Sequence, residues 1–202
     1  MPKVSTEEFG VINFKRLAGL KKTFAVLSLL VDYPTAATFT DDNRQKIIDD
    51  QELATDEKDQ LLTLFDQLAQ PGLLEQQTVF TGLFEMNRRY TLYMSYYKMT
   101  DSRERGTVLA KLKMLYEMFG ISEVTSELSD YLPLMLEFLA YGDYLDDPRR
   151  NDLQLALGVI EDGTYNLLQN AVVDSDKPYI KLIEFTRDLL GSCIKTEVKK
   201  DA

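Results

Sequence analysis

Residues 129–140 read SDYLPLMLEFLA. Pro133 lacks a backbone N–H and fixes φ near the helical value, so it belongs in the first turn of a helix. Around it Leu132, Met135, Leu136 and Leu139 fall on one helical stripe, and Tyr131, Leu134 and Phe138 fall on another. A helix apolar on two sides is either buried or grips a partner with one of them. Glu137 interrupts that surface, where an unpaired carboxylate is costly, so a basic partner is expected, internal or from a bound peptide. Asp130 is either the N-cap of this helix or, if the helix begins earlier, shares a face with Glu137.

Working outward, helical spacing dominates. Upstream, Val108, Leu112, Leu115 and Phe119 predict a helix over 103–119 that stops at Gly120. The charged stretch DSRERG at 101–106 opens it, with Arg103 and Arg105 expected to pair internally with Asp101, Glu104 or a neighbouring helix, and Gly106 expected to allow close helix packing. A long segment over 73–98 carries its clearest stripe at Leu83, Met86, Tyr90, Tyr93, Met94 and Tyr97. Phe14, Leu17, Leu20, Phe24, Leu27 and Val31 form one stripe that Pro34 ends. Thr40 and Thr55 read as N-caps with acidic residues following, and Pro71-Gly72 stops the second of these helices. Downstream, Asp147-Pro148 reads as an N-cap and first helical residue, Gly163 weakens the middle of that helix, and a last helix begins near Pro178.

No stretch alternates cleanly enough for a sheet, and no repeat or low-complexity linker appears. The expectation is an all-α chain, 1–202 forming a single multi-helix domain of about seven or eight helices with a loose tail over 195–202.

The net charge is −10, with no histidine and one cysteine. Such a balance argues against nucleic acid and favours a basic partner. The missing histidine excludes Ser-His and Cys-His catalysis and the usual zinc sites. Cys193 reads as a small residue near a helix end. No apolar run approaches the ~20 residues needed to span a bilayer, and Glu7 and Glu8 stand where a signal peptide would need apolar residues. Cytoplasmic residence without membrane insertion is expected. Nucleotide-loop, dinucleotide and nucleophile-elbow motifs are absent. Metal binding through Asp41, Asp42, Asp49 and Asp50 lacks an EF-hand arrangement, and no catalytic residue, cofactor or metal is assigned. Asp130 with Glu137 as a hydrolase pair is the enzymatic alternative.

Tyr90, Tyr93, Tyr96 and Tyr97, with Met94, follow the basic pair Arg88 and Arg89. Tyrosine offers a large apolar face with one polar handle, and methionine adapts to different partners, so the cluster suits peptide recognition as well as core packing.

The strings LLVDYP (29–34), NRRYTLYMSYY (87–97), DSRERG (101–106) and ELSDYLPLMLEFLA (127–140), with KPYIKLIEF (177–185) more weakly, resemble the nitrate reductase delta-subunit family of NarJ-type assembly chaperones, within the wider TorD-like chaperones of molybdoenzymes. The resemblance implies an all-helical cytoplasmic chaperone. Such a protein binds the N-terminal tail of the nitrate reductase catalytic (alpha) subunit, holds it off the membrane and keeps the apoenzyme open for molybdenum cofactor insertion. On that reading Tyr90, Tyr93, Tyr97, Tyr131, Met135 and Phe138 line a peptide groove, and Asp130 and Glu137 attract or orient the peptide. Direct contact with molybdenum cofactor maturation proteins stays open. The stretch YGDYLDDPRRN (141–151) departs from the family pattern, which bears on the hinge between helical halves and on partner choice. The alternative binding role is a chaperone for another molybdoenzyme, including one with a twin-arginine signal peptide.

Overall fold

The computed structural model describes residues 11–99, 102–122 and 127–195. The tail beyond Lys195, Glu7, Glu8 and Asp101 lie outside them. The apolar run becomes helix α7 (Leu132–Tyr141), with Pro133 in its first turn. Only Glu137 and Tyr141 of this helix are exposed. Of the two roles open to a helix apolar on two sides, α7 takes the buried one, at the centre of the fold. Phe138 shows why: its ring lies 4.5 Å from that of Tyr116, with Phe119 and Tyr144 completing the cluster. Glu137 points to solvent and has no ion-pair partner among the described residues, so the basic group expected beside it is not required.

Helix α2 (Lys21–Leu30) runs antiparallel to α7 and makes the most extensive helix–helix contact of the described residues. Two tethers fix the direction. Lys21 Nζ donates to the Gly142 carbonyl at 2.7 Å, and at the other end the Tyr131 hydroxyl donates to Asp32 Oδ1 at 2.8 Å. The continuous stripe from Phe14 to Val31 is broken into α1 (Phe14–Gly19) and α2, joined at Leu20. Leu17, Leu20, Phe24 and Leu27 nevertheless remain wholly buried, so the stripe survives the break.

Around this pair stand α3 (Asp41–Asp49), α4 (Thr55–Ala69), α5 (Leu73–Phe80), α6 (Ser102–Met118), α8 (Gln154–Asn170) and α9 (Pro178–Gly191), giving nine α-helices among the described residues. Thr40 caps α3 as expected, its side chain accepting from Asn43 N. Thr55 is inside α4 instead of capping it; Glu57 reaches back to accept from Ala54 N at 2.8 Å. Gly120 ends α6 with φ 81°, a left-handed conformation that favours glycine. Asp147-Pro148 sits in a turn, and α8 begins only after a 3₁₀ turn at Arg150–Leu153. One antiparallel pairing was not legible: Val11–Ile12 with Ile194–Lys195, too short to leave an alternating pattern.

The largest departure lies in 73–98. The long segment with its helical stripe is divided into α5, a π-helical turn at Thr81–Glu85, a turn through Asn87–Tyr90, an extended stretch, and a 3₁₀ turn at Met94–Tyr97. Asn87 Oδ1 accepts from Arg89 N at 3.0 Å, a local turn that competes with helix. Leu92 and Met94 then bond to another segment, so tertiary pairing overrides the helical spacing.

Gly163 is there for contact, not as a flaw. A Cβ at this position of α8 would lie 2.6 Å from the Met94 Cβ and 2.7 Å from its backbone. Gly106, expected to permit close packing, faces open space. The two glycines should therefore respond oppositely to alanine in urea unfolding. Gly163→Ala should lose about 1–3 kcal/mol by overpacking. Gly106→Ala should gain about 0.5–1 kcal/mol from helix propensity. Equal responses would contradict the assigned contact.

Candidate functional site

A short strand-like pairing builds the site. Met94 N–H donates to the Asp130 carbonyl at 2.8 Å, and Leu132 N–H donates to the Leu92 carbonyl at 2.9 Å. These bonds set Tyr93 opposite Tyr131 in an antiparallel bridge. The Asp130 side chain, 0% exposed, locks the arrangement. Its Oδ2 accepts from Ser95 N at 3.1 Å, from Ser95 Oγ at 2.5 Å and from Arg105 Nη2 at 3.0 Å. Arg105 Nε also donates to Ser95 Oγ at 3.1 Å. Next door, Ser129 Oγ donates to the Leu109 carbonyl, and the Ser129 carbonyl accepts from the buried Tyr116 hydroxyl. A carboxylate this deep needs several charge-assisted donors to offset its lost hydration, and here it has them.

The paired segments form one side of a cleft of about 690 Å³. Phe80, Phe84 and Leu92 supply its buried apolar lining, while Tyr93, Tyr96, Leu128 and Tyr131 present partly exposed surface. Phe80 is itself held by edge-on contacts with Tyr33, Phe84 and Tyr179. The Tyr93 and Tyr131 rings lie 5.3 Å apart. Each hydroxyl donates to a carboxylate: Tyr93 to Glu127 Oε2 at 2.7 Å, and Tyr131 to Asp32. Burial, reinforced by the bond to Glu127, pushes the Tyr93 phenol up to about 12. Burial and then the Asp32 charge push Tyr131 up as well. Both rings are therefore neutral, fixed faces. Charge of both signs borders the cleft through Glu85, Arg88, Arg105 and Glu127. The Arg88 side chain has no ion-pair partner among the described residues.

Of the residues expected to line a groove, the cleft brings together Tyr93 and Tyr131. Tyr90 is buried, its hydroxyl donating to Asp174 Oδ2 at 2.7 Å, a bond that holds the Asp174 carboxyl below its ordinary range. Tyr97 is half-buried, is not part of the cleft lining and donates to the Thr91 carbonyl at 2.7 Å. Met135 and Phe138 are wholly enclosed in the core, and Asp130 is a buried tie, so none of the three presents surface to a peptide. Glu137 is exposed but outside the cleft. Sequence reasoning missed Phe80, Phe84, Leu92 and Leu128 and did not select Tyr96. Helical spacing was the wrong ruler for a segment that is not one helix.

Asp42 pairs with Lys46, Asp49 accepts from Gln45, and Asp50 accepts from Thr23, so each has a separate partner. Among the described residues no group of three or more acidic or thiol side chains is placed to hold a metal ion, and no helix is long and apolar enough to cross a membrane.

A model of the family described as nitrate reductase delta subunit matches residues 49–171, which include every residue lining the cleft. The chain belongs to the nitrate reductase delta subunit family. Over 121 residues it is 36% identical to a probable nitrate reductase molybdenum cofactor assembly chaperone NarJ of Bacillus subtilis (strain 168), covering 58% of this chain and 64% of that one. A probable chaperone of the same description, NarW of Escherichia coli (strain K12), is 26% identical over 174 residues, 85% of this chain and 69% of the relative. The NarJ chaperone of the same strain is 29% identical over 117 residues, 57% of this chain and 50% of its own length. The matched stretch thus spans from half to about two thirds of these relatives. Helices α1, α2 and α9, and α3 except for Asp49, fall outside the delta-subunit match, as does Asp32, just beyond α2, which tethers Tyr131.

Removing one partner of the buried pair should be severe. Asp130→Ala and Arg105→Ala should each cost about 3–5 kcal/mol in urea unfolding, and the double variant should cost much less than their sum. Additive losses below 1 kcal/mol each would show that the pair does not hold the segments together.

Proposed function

We propose that this chain is an assembly chaperone for the catalytic subunit of a respiratory nitrate reductase, and that it binds that subunit's N-terminal tail in the aromatic cleft. The observation that carries the reading is the cleft itself, an apolar floor flanked by two phenols already tied to carboxylates. Family membership and the roles named for the relatives support the choice of client.

The geometry suits an amphipathic helix laid in a groove. Phe80, Phe84 and Leu92 form a buried apolar floor, while Tyr96 and Leu128, 43% and 42% exposed, stand ready to be covered. Tethering Tyr93 and Tyr131 beforehand reduces the side-chain entropy lost on binding. Arg88, Glu85 and Glu127 give the rim both signs of charge, which orients the tail, and the net charge of −10 draws in a basic segment. A tail held in this way is kept from the membrane, and the apoenzyme stays open for insertion of the molybdenum cofactor, which belongs to the client. Ordering a flexible tail costs several kcal/mol, so the complex is selective yet releases its client. The role is binding without turnover, in the cytoplasm.

Calorimetry with a synthetic peptide of the first ~15–20 residues of the catalytic subunit tests the proposal. The expected result is saturable binding at about micromolar concentration or below, weakened tenfold or more by Leu128→Asp. No heat, and no competition by the peptide at about 50 μM, would overturn it.

A further inference from the structure

A second concavity, of about 500 Å³, lies where α2, α3 and the end of α7 meet. Ala25, Val26, Leu29 and Ala140 give it an apolar lining, with Leu29 42% exposed and Tyr141 60% exposed. Lys21, Lys22 and Lys46 border it together with Asp49 and Asp50, so its rim carries charge of both signs. Lys21 is turned onto the Gly142 carbonyl and Lys46 onto Asp42. Lys22 is exposed, and its side chain has no ion-pair partner among the described residues.

The groove and the aromatic cleft lie at opposite ends of the α2–α7 pair. Because α2 and α7 are antiparallel, the start of α2 meets the end of α7 at the groove, and the end of α2 meets the start of α7 at the cleft. Along α2, Lys22, Ala25 and Leu29 follow one another at three- and four-residue steps, and Tyr33 stands just beyond the end of the helix. Tyr33 packs its ring edge-on to Phe80, 5.7 Å between centroids, inside the cleft lining. Along α7, Tyr131, Leu134, Glu137 and Tyr141 step in the same way. That face contains both exposed residues of an otherwise buried helix, Glu137 and Tyr141.

We propose that the α2–α7 seam is the second half of the client site, so that one helical segment fills the aromatic cleft with one part and the groove beside Lys22 with the other. The inference rests on the tail-binding reading of the cleft. It also states the chemistry of the occupant. The segment is amphipathic, carries an acidic residue to meet Lys22 in the groove, and carries a basic residue to meet Glu137 on the way. Helix α7 covers about 15 Å at 1.5 Å per residue, so a helix that runs its length and enters the concavity at each end needs more than about 10 residues. A shorter peptide can fill only one of the two concavities.

The test uses the full chain and two synthetic peptides, the first ~20 residues of the catalytic subunit and a version truncated to its cleft-binding half. Leu29→Asp, Tyr141→Asp and Glu137→Lys alter the groove and seam, and Leu128→Asp alters the cleft. The expected result is that the whole tail loses tenfold or more in affinity with either set of changes, while the truncated peptide responds only to Leu128→Asp. If the whole tail binds the groove variants as tightly as the unaltered chain but is weakened by Leu128→Asp, the seam proposal is wrong and the cleft reading stands. If the whole tail does not bind the unaltered chain, both are wrong. The three seam positions are exposed, so thermal midpoints should be unchanged; Tyr141→Ala, which adds no charge, repeats the test if a charged variant fails to fold.

Discussion

A carboxylate without access to water must be surrounded by donors, and the position of Asp130 organises much of what surrounds it. Its donors come from Ser95 on one segment and Arg105 on α6, while its own backbone carbonyl takes the Met94 amide. Two other parts of the chain, the Met94–Ser95 segment and α6, are thereby held to one residue. Replacing such a pair with apolar residues of matching shape is often neutral, whereas losing one member is not. The contribution of Asp130 is best understood as fixing a unique arrangement, with Tyr93 set beside Tyr131.

From that arrangement the cleft follows. Tyr93 and Tyr131 are presented side by side because their backbones pair, and each ring is then restrained by a carboxylate. The tether from Tyr131 to Asp32 reaches the end of α2, so the cleft is coupled to the α2–α7 contact that forms the centre of the fold. Helix α8 approaches the same region from behind, and Gly163 lets it come close to Met94, next to Tyr93. A rigid apolar surface with its polar groups already satisfied is the kind on which binding loses little to reorganisation.

Much of the helical architecture was legible. Pro133 marked the first turn of α7, Thr40 capped α3, Gly120 ended α6 and Pro178 opened α9, because each is a local device with a local cause. The site was less legible. Spacing placed Tyr90, Tyr93 and Tyr97 on one helical face, but backbone bonds to 130–132 pull 92–94 out of helix and separate the three side chains. Asp130 looked like a cap or a peptide contact because nothing in its neighbourhood reveals Arg105, 25 residues away, as its partner. Glu137 seemed to need a partner because its neighbours are apolar, yet the one open side of α7 is where it sits. Local signals specify local structure; partners brought together by tertiary contact leave no comparable trace.

Amide hydrogen exchange at Met94, Ser95 and Leu132 tests most directly whether the Asp130 tie holds the cleft together. The backbone N–H of Met94 is bonded to the Asp130 carbonyl, that of Ser95 to the Asp130 carboxylate, and that of Leu132 to the Leu92 carbonyl. If the tie is what organises the site, these three amides exchange only through global unfolding, with protection equal to that of the α7 core. Exchange at the rate of the exposed turn at Arg88 and Arg89, while α7 stays protected, would show that the paired segments open independently and that the cleft is not built on Asp130.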